Sequence, residues 1–416
     1  MMMASTNSQS TLKWWQISAF VAWILLAMHI LYHNGGHEPA APKNMPPEVG
    51  GTIASLNNEH RDMNGHEPTH GQHVVVTGGA GFIGSHMTMH LLEHGYAVTI
   101  LDNLSRGNAG AVRVLREHAT KRGRLRFEFV ELEDETAVRR ILRDARNRGT
   151  PVDVVMHFAA IAFVGESVAY PLNYWTNITS NTITLLRAMK HENVNKLVYS
   201  STCATYGNPV SMPITEDTPT VPINPYGRAK LDAEDAIRDY AHANKNFDAV
   251  ILRYFNVYGA DPKGRLGEYP PPNLVGHGRV STACFAAAFG HIPELKIYGT
   301  DFSTGDGTCV RDYIHVTDLV EAHHLAMAKA LSNPPSLYNI GTGVGVSVRE
   351  FTRACLSVTR RNITVVEHPR RPGDYAEVYA SPAKIKDELG WEARYRDVEE
   401  GLATAWRWRE RHENGY

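Results

Sequence analysis

Gly78-Gly79-Ala80-Gly81-Phe82-Ile83-Gly84 stands between an apolar run, His73-Val74-Val75-Val76-Thr77, and a helix-like run that reaches His94. The order is strand, glycine-rich turn, helix. Glycines at 78, 81 and 84 let the chain turn tightly, bring backbone N–H groups up to a pyrophosphate and let the helix pack close to the strand. A glycine pattern alone says little, since a plain strand-to-helix turn gives similar letters. Here a second apolar run, Ala97 to Leu101, follows and closes on Asp102. An acidic side chain at that place can accept both hydrogen bonds of an adenosine ribose. The stretch predicts a dinucleotide-binding unit.

From residue 72 onward strand and helix patterns alternate. Apolar strands recur at 152–157, 196–200 and 249–252, separated by amphipathic stretches. Alternation of this kind predicts an α/β protein with a doubly wound parallel sheet, in which ligands bind beyond the carboxyl ends of the strands. From about residue 256, helical patterns at 281–289, 318–331 and 347–358 alternate with short strands such as 337–340. They are assigned to a smaller C-terminal α/β substrate lobe.

The chain has 416 residues and a formal net charge of −2, so it has no basic field to attract nucleic acid. Its four cysteines, Cys203, Cys284, Cys309 and Cys355, have neither metal-ligand spacing nor the look of a disulfide framework. The 21 histidines are dispersed, and no metal site is expected.

The N-terminal end reads differently. Residues 14–32, WWQISAFVAWILLAMHILY, hold no acid, Lys or Arg, which is about the length a helix needs to span a bilayer. Two tryptophans open the segment, a tyrosine closes it, and Lys13 precedes it. It is long for a cleaved signal peptide, and no small-x-small site follows. The expectation is one retained transmembrane helix after a cytoplasmic tail at 1–13. Residues 33–71, rich in Gly, Pro, Asn and His, would form a flexible stem.

Strand ends carry the chemistry. The run at 196–200 leads into Ser200-Ser201-Thr202-Cys203-Ala204-Thr205-Tyr206-Gly207, followed by Asn224-Pro225-Tyr226-Gly227-Arg228-Ala229-Lys230. Tyr226 and Lys230 share a face of the helix predicted after Pro225. A nearby ammonium favours phenolate and is expected to lower the Tyr226 pKa. With the Thr202 hydroxyl, the pair suits removal of a proton from an alcohol as hydride leaves its carbon.

These motifs resemble the extended short-chain dehydrogenase/reductase family and, within it, the UDP-sugar 4-epimerases. The resemblance runs from about residue 73 onward. It includes His157-Phe158-Ala159-Ala160, Val164-Gly165-Glu166-Ser167, Arg253-Tyr254-Phe255-Asn256, the run from Asp306 to Val316, and Arg371-Pro372-Gly373-Asp374. STCATYG, NPYGRAK, GADPKGRLGE, RRPGDYAEVY and the terminal AWRWRERHENGY are similar to the plant UDP-arabinose 4-epimerases, which are Golgi type II membrane proteins. The resemblance implies a Rossmann-type NAD-binding domain at 72–255 and a UDP-sugar lobe at 256–416, with chain crossings between them. It also implies a homodimer.

By matched motif, Gly78, Gly81, Phe82, Ile83 and Gly84 would hold the NAD pyrophosphate, with Asp102 and Asn103 at the ribose and Glu131 and Leu132 near the adenine. Phe158, Ala159, Ala160, Asn177, Ser200 and Phe255 would line the cofactor. Thr202 and Tyr226 would act on the sugar, while Lys230 would bind the nicotinamide ribose. Asn256, Arg311 and Arg371 would hold the diphosphate. Asn273 and Leu274 would flank the nucleotide, Lys296 and Tyr298 would border the uracil, and Asp374 would accept from the uridine ribose.

Three departures bear on these assignments. Glu131 replaces a more usual Asp, Ala162 stands where hexose epimerases often carry Lys, and Val378 stands where they often carry a sugar-gauging Tyr or Cys. An apolar wall there suits a pentose. The runner-up activity is UDP-glucose/UDP-galactose epimerisation. A dehydratase would need an acid pair in place of Cys203 and Ala204, and a non-catalytic binder would not need every catalytic position filled. Sequons begin at Asn103, Asn177 and Asn362. The first two coincide with cofactor positions, which leaves Asn362 as the acceptor for a lumenal domain.

Overall fold

A computed structural model describes residues 72–122, 124–270 and 279–416. The expected tail, anchor and stem, and the site residues Asn273 and Leu274, lie outside the described residues. Among the described residues, no helix is long and apolar enough to cross a membrane.

The strands are β1 His73–Thr77, β2 Ala97–Asp102, β3 Arg124–Phe129, β4 Val154–His157, β5 Lys196–Thr202, β6 Asp248–Tyr254, β7 Asn256–Tyr258, β8 Leu295–Tyr298, β9 Val310–His315, β10 Ser336–Ile340, β11 Gly345–Ser347, β12 Val365–His368 and β13 Glu377–Val378. Seven of them form a sheet in the order β10-β6-β5-β4-β1-β2-β3, with every pairing parallel. The chain winds outward from β1 to β3, returns, and winds the other way from β4. The crevice between β1 and β4 is therefore the switch point, where such sheets bind ligands.

Helices cover both faces, so the strands are apolar on both sides. Val74, Val76 and Met156 join one cluster with Leu91, Leu115 and Leu319. Val75 and Val155 point the other way, towards Leu142, Leu185 and Ile237. The 337–340 run, placed by sequence in the C-terminal lobe, is β10 of the large sheet, and the helix Val316–Lys329 packs on the same sheet. The chain thus returns to the first domain after residue 256. A short run of alternating apolar residues does not say which sheet it will join.

The remainder builds the smaller lobe around Tyr258, Phe285, Phe351, Trp406 and Trp408, with β9 central to a short sheet. Buried Asp312 fixes that sheet. Its carboxylate accepts from Thr342 N at 2.8 Å, Thr342 Oγ1 at 2.8 Å, Gly343 N at 3.0 Å and Ala380 N at 3.2 Å.

The helix Pro225–Ala243 positions the predicted catalytic pair. Asn224 caps it by accepting from Gly227 N at 2.8 Å, and Pro225 presets the first turn. Gly227 permits close docking, since a Cβ there would lie 2.4 Å from the Ala204 carbonyl oxygen. Further along, buried Glu234 accepts from Arg253 Nε at 2.8 Å, Arg253 Nη2 at 2.6 Å and Ser201 Oγ at 2.5 Å. Burial alone would raise the Glu234 carboxyl, but the Arg253 and Ser201 hydrogen bonds and the Arg238 charge outweigh it and hold it below the ordinary carboxylate range. Because the folded pKa is depressed, this contribution to stability is present above the ordinary Glu range and is lost as pH falls through the depressed value.

Replacing Glu234 with Ala leaves the Arg253 guanidinium buried without its carboxylate. The expected cost is about 3–5 kcal/mol, read from urea unfolding midpoints.

Candidate active site

The glycine-rich turn lies at the switch point. Gly78 has φ +69°, and a Cβ there would come within 2.7 Å of the Ala159 nitrogen. A Cβ on Gly84 would lie 2.2 Å from the Gly78 carbonyl oxygen. Both positions exclude any larger residue. The helix Phe82–Glu93 starts at Gly81 with no side-chain cap, so its first-turn N–H groups are left for a ligand.

An open cavity lies over this turn. It is lined by Gly78, Gly81, Phe82, Ile83, Gly84, Asp102, Asn103, Glu131, Leu132, Phe158, Ala159, Ala160, Asn177, Ser200, Tyr226 and Lys230. Sixteen of the cofactor positions proposed from sequence therefore share one wall. The Asp102 carboxylate accepts from Ala80 N at 2.9 Å and Leu104 N at 2.8 Å. Each oxygen keeps a second lone-pair direction. Asn103 Nδ2 donates to Glu131 Oε2 at 2.7 Å, so the longer acid at 131 is tied to the ribose-side residue. Asn177 sits in a wider, π-helical turn, Trp175–Ser180, and accepts from Ile161 N at 2.8 Å.

Phe255 departs from the expectation. It is not among the residues lining the cavity and is buried with Tyr206, Ile214, Tyr375 and Val378. Its place in a strand-end motif says that it follows β6, but the backbone turns its ring into the packing beneath. Val378 lies in the same cluster, so it forms no wall of this cavity. Ala162 does line it.

At the far end the expected tuning is reversed. Burial, then the neighbouring Tyr254, raise the Tyr226 phenol above its ordinary value, against lowering by the Thr202 hydrogen bond and Arg279. Lys230 Nζ donates instead to the Ser200 carbonyl at 2.6 Å and lies 4.9 Å from the Tyr199 ring centroid. Burial pushes Lys230 down to about 7, opposed by Glu234. Helical spacing brought the two groups together as predicted. It gave no measure of how far both are removed from water, and desolvation is the largest influence on each.

The proposed diphosphate residues form a second cluster. Arg371 donates to Asp374 at 3.0 Å and lies over the Tyr298 ring, while Arg311 lies 4.0 Å from Asp374. Lys296 and Asn256 are exposed. The two clusters are joined, since Asn224 Nδ2 donates to the Tyr375 hydroxyl at 2.6 Å and Arg311 sits over the Tyr375 ring. Cys203, next to Thr202, also feels the Arg311 charge.

Sequence reasoning missed several lining residues. Tyr254 hydrogen-bonds Ser200 and lay inside a quoted motif. Tyr416, packed against Trp408, donates to the Gly267 carbonyl at 2.7 Å and lay in the quoted C-terminal run. Arg279, paired with Glu268, carried no motif signal.

An acid at one end, bare backbone in the middle and a Tyr–Lys pair at the other fit a nicotinamide dinucleotide. Residues 74–341 match the family described as NAD dependent epimerase/dehydratase. The chain is 57% identical to the probable UDP-arabinose 4-epimerase 1 of Oryza sativa subsp. japonica, over 83% of this chain and 81% of that protein. It is 56% identical to UDP-arabinose 4-epimerase 1 of Arabidopsis thaliana, over 83% and 81%. Among solved structures, UDP-glucose 4-epimerase of Bifidobacterium longum in complex with NAD+ and UDP aligns with a TM-score of 0.76 at 38% identity, over 83% of this chain and all of that one. The Stenotrophomonas maltophila UDP-glucose-4-epimerase with NAD and formylated UDP-arabinopyranose gives 0.75 at 35%, over 82% and 98%.

Gly84→Ala drives a methyl into the turn backbone. The expected result is purified protein with little bound dinucleotide, measured by cofactor release on denaturation.

Proposed function

The chain belongs to the NAD-dependent epimerase/dehydratase family, and from that membership we propose that it epimerises C4 of a UDP-sugar, interconverting UDP-xylose and UDP-L-arabinose. The observation that carries this reading is the meeting of buried Tyr226 and Lys230, one helical turn apart, in the same cavity as the uncapped glycine turn. When bound, NAD supplies a hydride acceptor that is restored in each cycle, so the reaction has no net oxidation.

The chain's own groups do the rest. Tyr226 takes the proton of the sugar 4-hydroxyl and returns it to the same oxygen once the transient 4-keto sugar has turned its other face to the hydride donor. Thr202, whose hydroxyl neighbours Tyr226, orients that hydroxyl. Lys230, when protonated, favours the phenolate that develops. Arg311 and Arg371 hold the UDP diphosphate, Asp374 meets the uridine ribose, and Tyr298 and Lys296 border the uracil. Gripping the nucleotide instead of the sugar leaves the sugar free to turn over. Gly78, Gly81 and Gly84 hold the cofactor pyrophosphate, with Asp102 at its ribose.

UDP-glucose/UDP-galactose epimerisation is the second reading, favoured by the UDP-glucose 4-epimerases among the structural neighbours. The close plant relatives support the pentose. The proposal extends to placement: residues 14–32 act as a signal-anchor of a single-pass type II Golgi membrane protein with a lumenal catalytic part that forms homodimers. Lys13 and the aromatic ends of the segment support this, and exposed Asn362 is open to a glycan.

Tyr226→Phe is expected to lower kcat for UDP-xylose by roughly 10²–10⁴-fold, the range of general acid–base contributions. Near-normal turnover by that variant would sink the scheme. Wild-type protein is expected to turn over UDP-xylose faster than UDP-galactose in parallel assays. On membranes, glycosidase treatment is expected to shift the wild-type band but not that of Asn362→Gln.

A further inference from the structure

Three histidines, two of them four residues apart and the third distant in sequence, meet at the end of Phe82–Glu93 remote from the glycine turn. His90 lies in the last turn of Phe82–Glu93, His94 is its C-terminal cap four residues on, and His324 comes from the helix Val316–Lys329. One ring nitrogen from each lies within 4.8 Å of the other two. His90 and His324 are half-buried and His94 is exposed, so an ion can enter from solvent.

From this geometry we propose a zinc site that pins the first helix of the dinucleotide-binding unit to Val316–Lys329. The hydrogen bonds already orient the rings. His94 Nδ1 lies 2.7 Å from the His90 carbonyl oxygen. A carbonyl only accepts, so Nδ1 carries the proton and Nε2 keeps its lone pair for a metal. His324 Nε2 lies 3.1 Å from the Tyr96 hydroxyl, and its Nδ1 faces His90 Nε2 at 3.0 Å. Outer hydrogen bonds from ring nitrogens to a carbonyl and a hydroxyl are the supports that metal-bound imidazoles use. Zinc–nitrogen bonds of about 2.0–2.1 Å set tetrahedral ligands about 3.3 Å apart, close to the His90–His324 separation. Exposed His94 needs only a side-chain adjustment to join them, and water takes the fourth position.

The site is remote from the reaction. The helix Phe82–Glu93 has 12 residues, which puts the cluster about 18 Å from the glycine turn. Its role is to brace that helix, not to take part in chemistry.

The test uses the full chain, stripped with chelator and titrated with zinc and with cobalt as a spectroscopic probe. Wild type is expected to gain a tetrahedral cobalt spectrum at one equivalent and a zinc-dependent rise in Tm. His94→Gln is expected to weaken binding roughly 100-fold and to abolish the Tm rise. Its kcat without metal should be unchanged, which confirms folding because the residue is exposed. His324→Gln repeats the test from the other helix. Equal metal response in wild type and His94→Gln would assign the ion to the many histidines of 33–71 and overturn the proposal, as would no response in wild type.

Discussion

A single stripe of one helix, pressed out of water, organises the whole cavity. Tyr226, Lys230 and Glu234 follow one another at four-residue intervals along Pro225–Ala243, and all three are buried. Glu234 is locked to Arg253 and Ser201, which belong to neighbouring strands. That lock fixes the rotation of the helix, and the rotation decides where the lysine and the phenol point. Lys230 then donates to the Ser200 carbonyl near the end of β5. The order matters energetically: the fully compensated charge pair lies deepest, while the groups that must change protonation lie towards the opening.

The smaller lobe is coupled to this stripe by neutral bonds. Asn224 caps the catalytic helix with its oxygen and holds Tyr375 with its nitrogen, and Tyr375 in turn lies beneath Arg311. One side-chain amide therefore serves both the helix start and the wall that carries the arginines. Asp312, the next residue after Arg311, gathers backbone donors from two loops, so the arginine's strand is held from both directions.

Much of this was legible in the residues. The glycines at 78 and 84 announced contacts that no Cβ tolerates, and the structure supplies those contacts as Ala159 and the Gly78 carbonyl. Strand ends located much of the cofactor wall, because parallel sheets place their loops at one edge. What escaped notice depends on distances between segments. Periodicity cannot tell that Phe255 turns inward, that β10 leaves its neighbours for the large sheet, or that burial raises the Tyr226 phenol. His90 and His94 showed helical spacing, but their meeting with His324 required two helices to pack on the same face.

The arginine cluster has a further consequence for discrimination. Arg371 does not wait bare; it is already paired with Asp374 across a 3.0 Å contact. On the proposed reading, an incoming diphosphate must exchange with a carboxylate already in place. A singly charged competitor gains little from such an exchange, whereas a ligand with two linked anionic groups can engage Arg311 and Arg371 together. The internal acid thus acts as a threshold, making ligand charge number, and not merely its sign, the quantity that the smaller lobe counts.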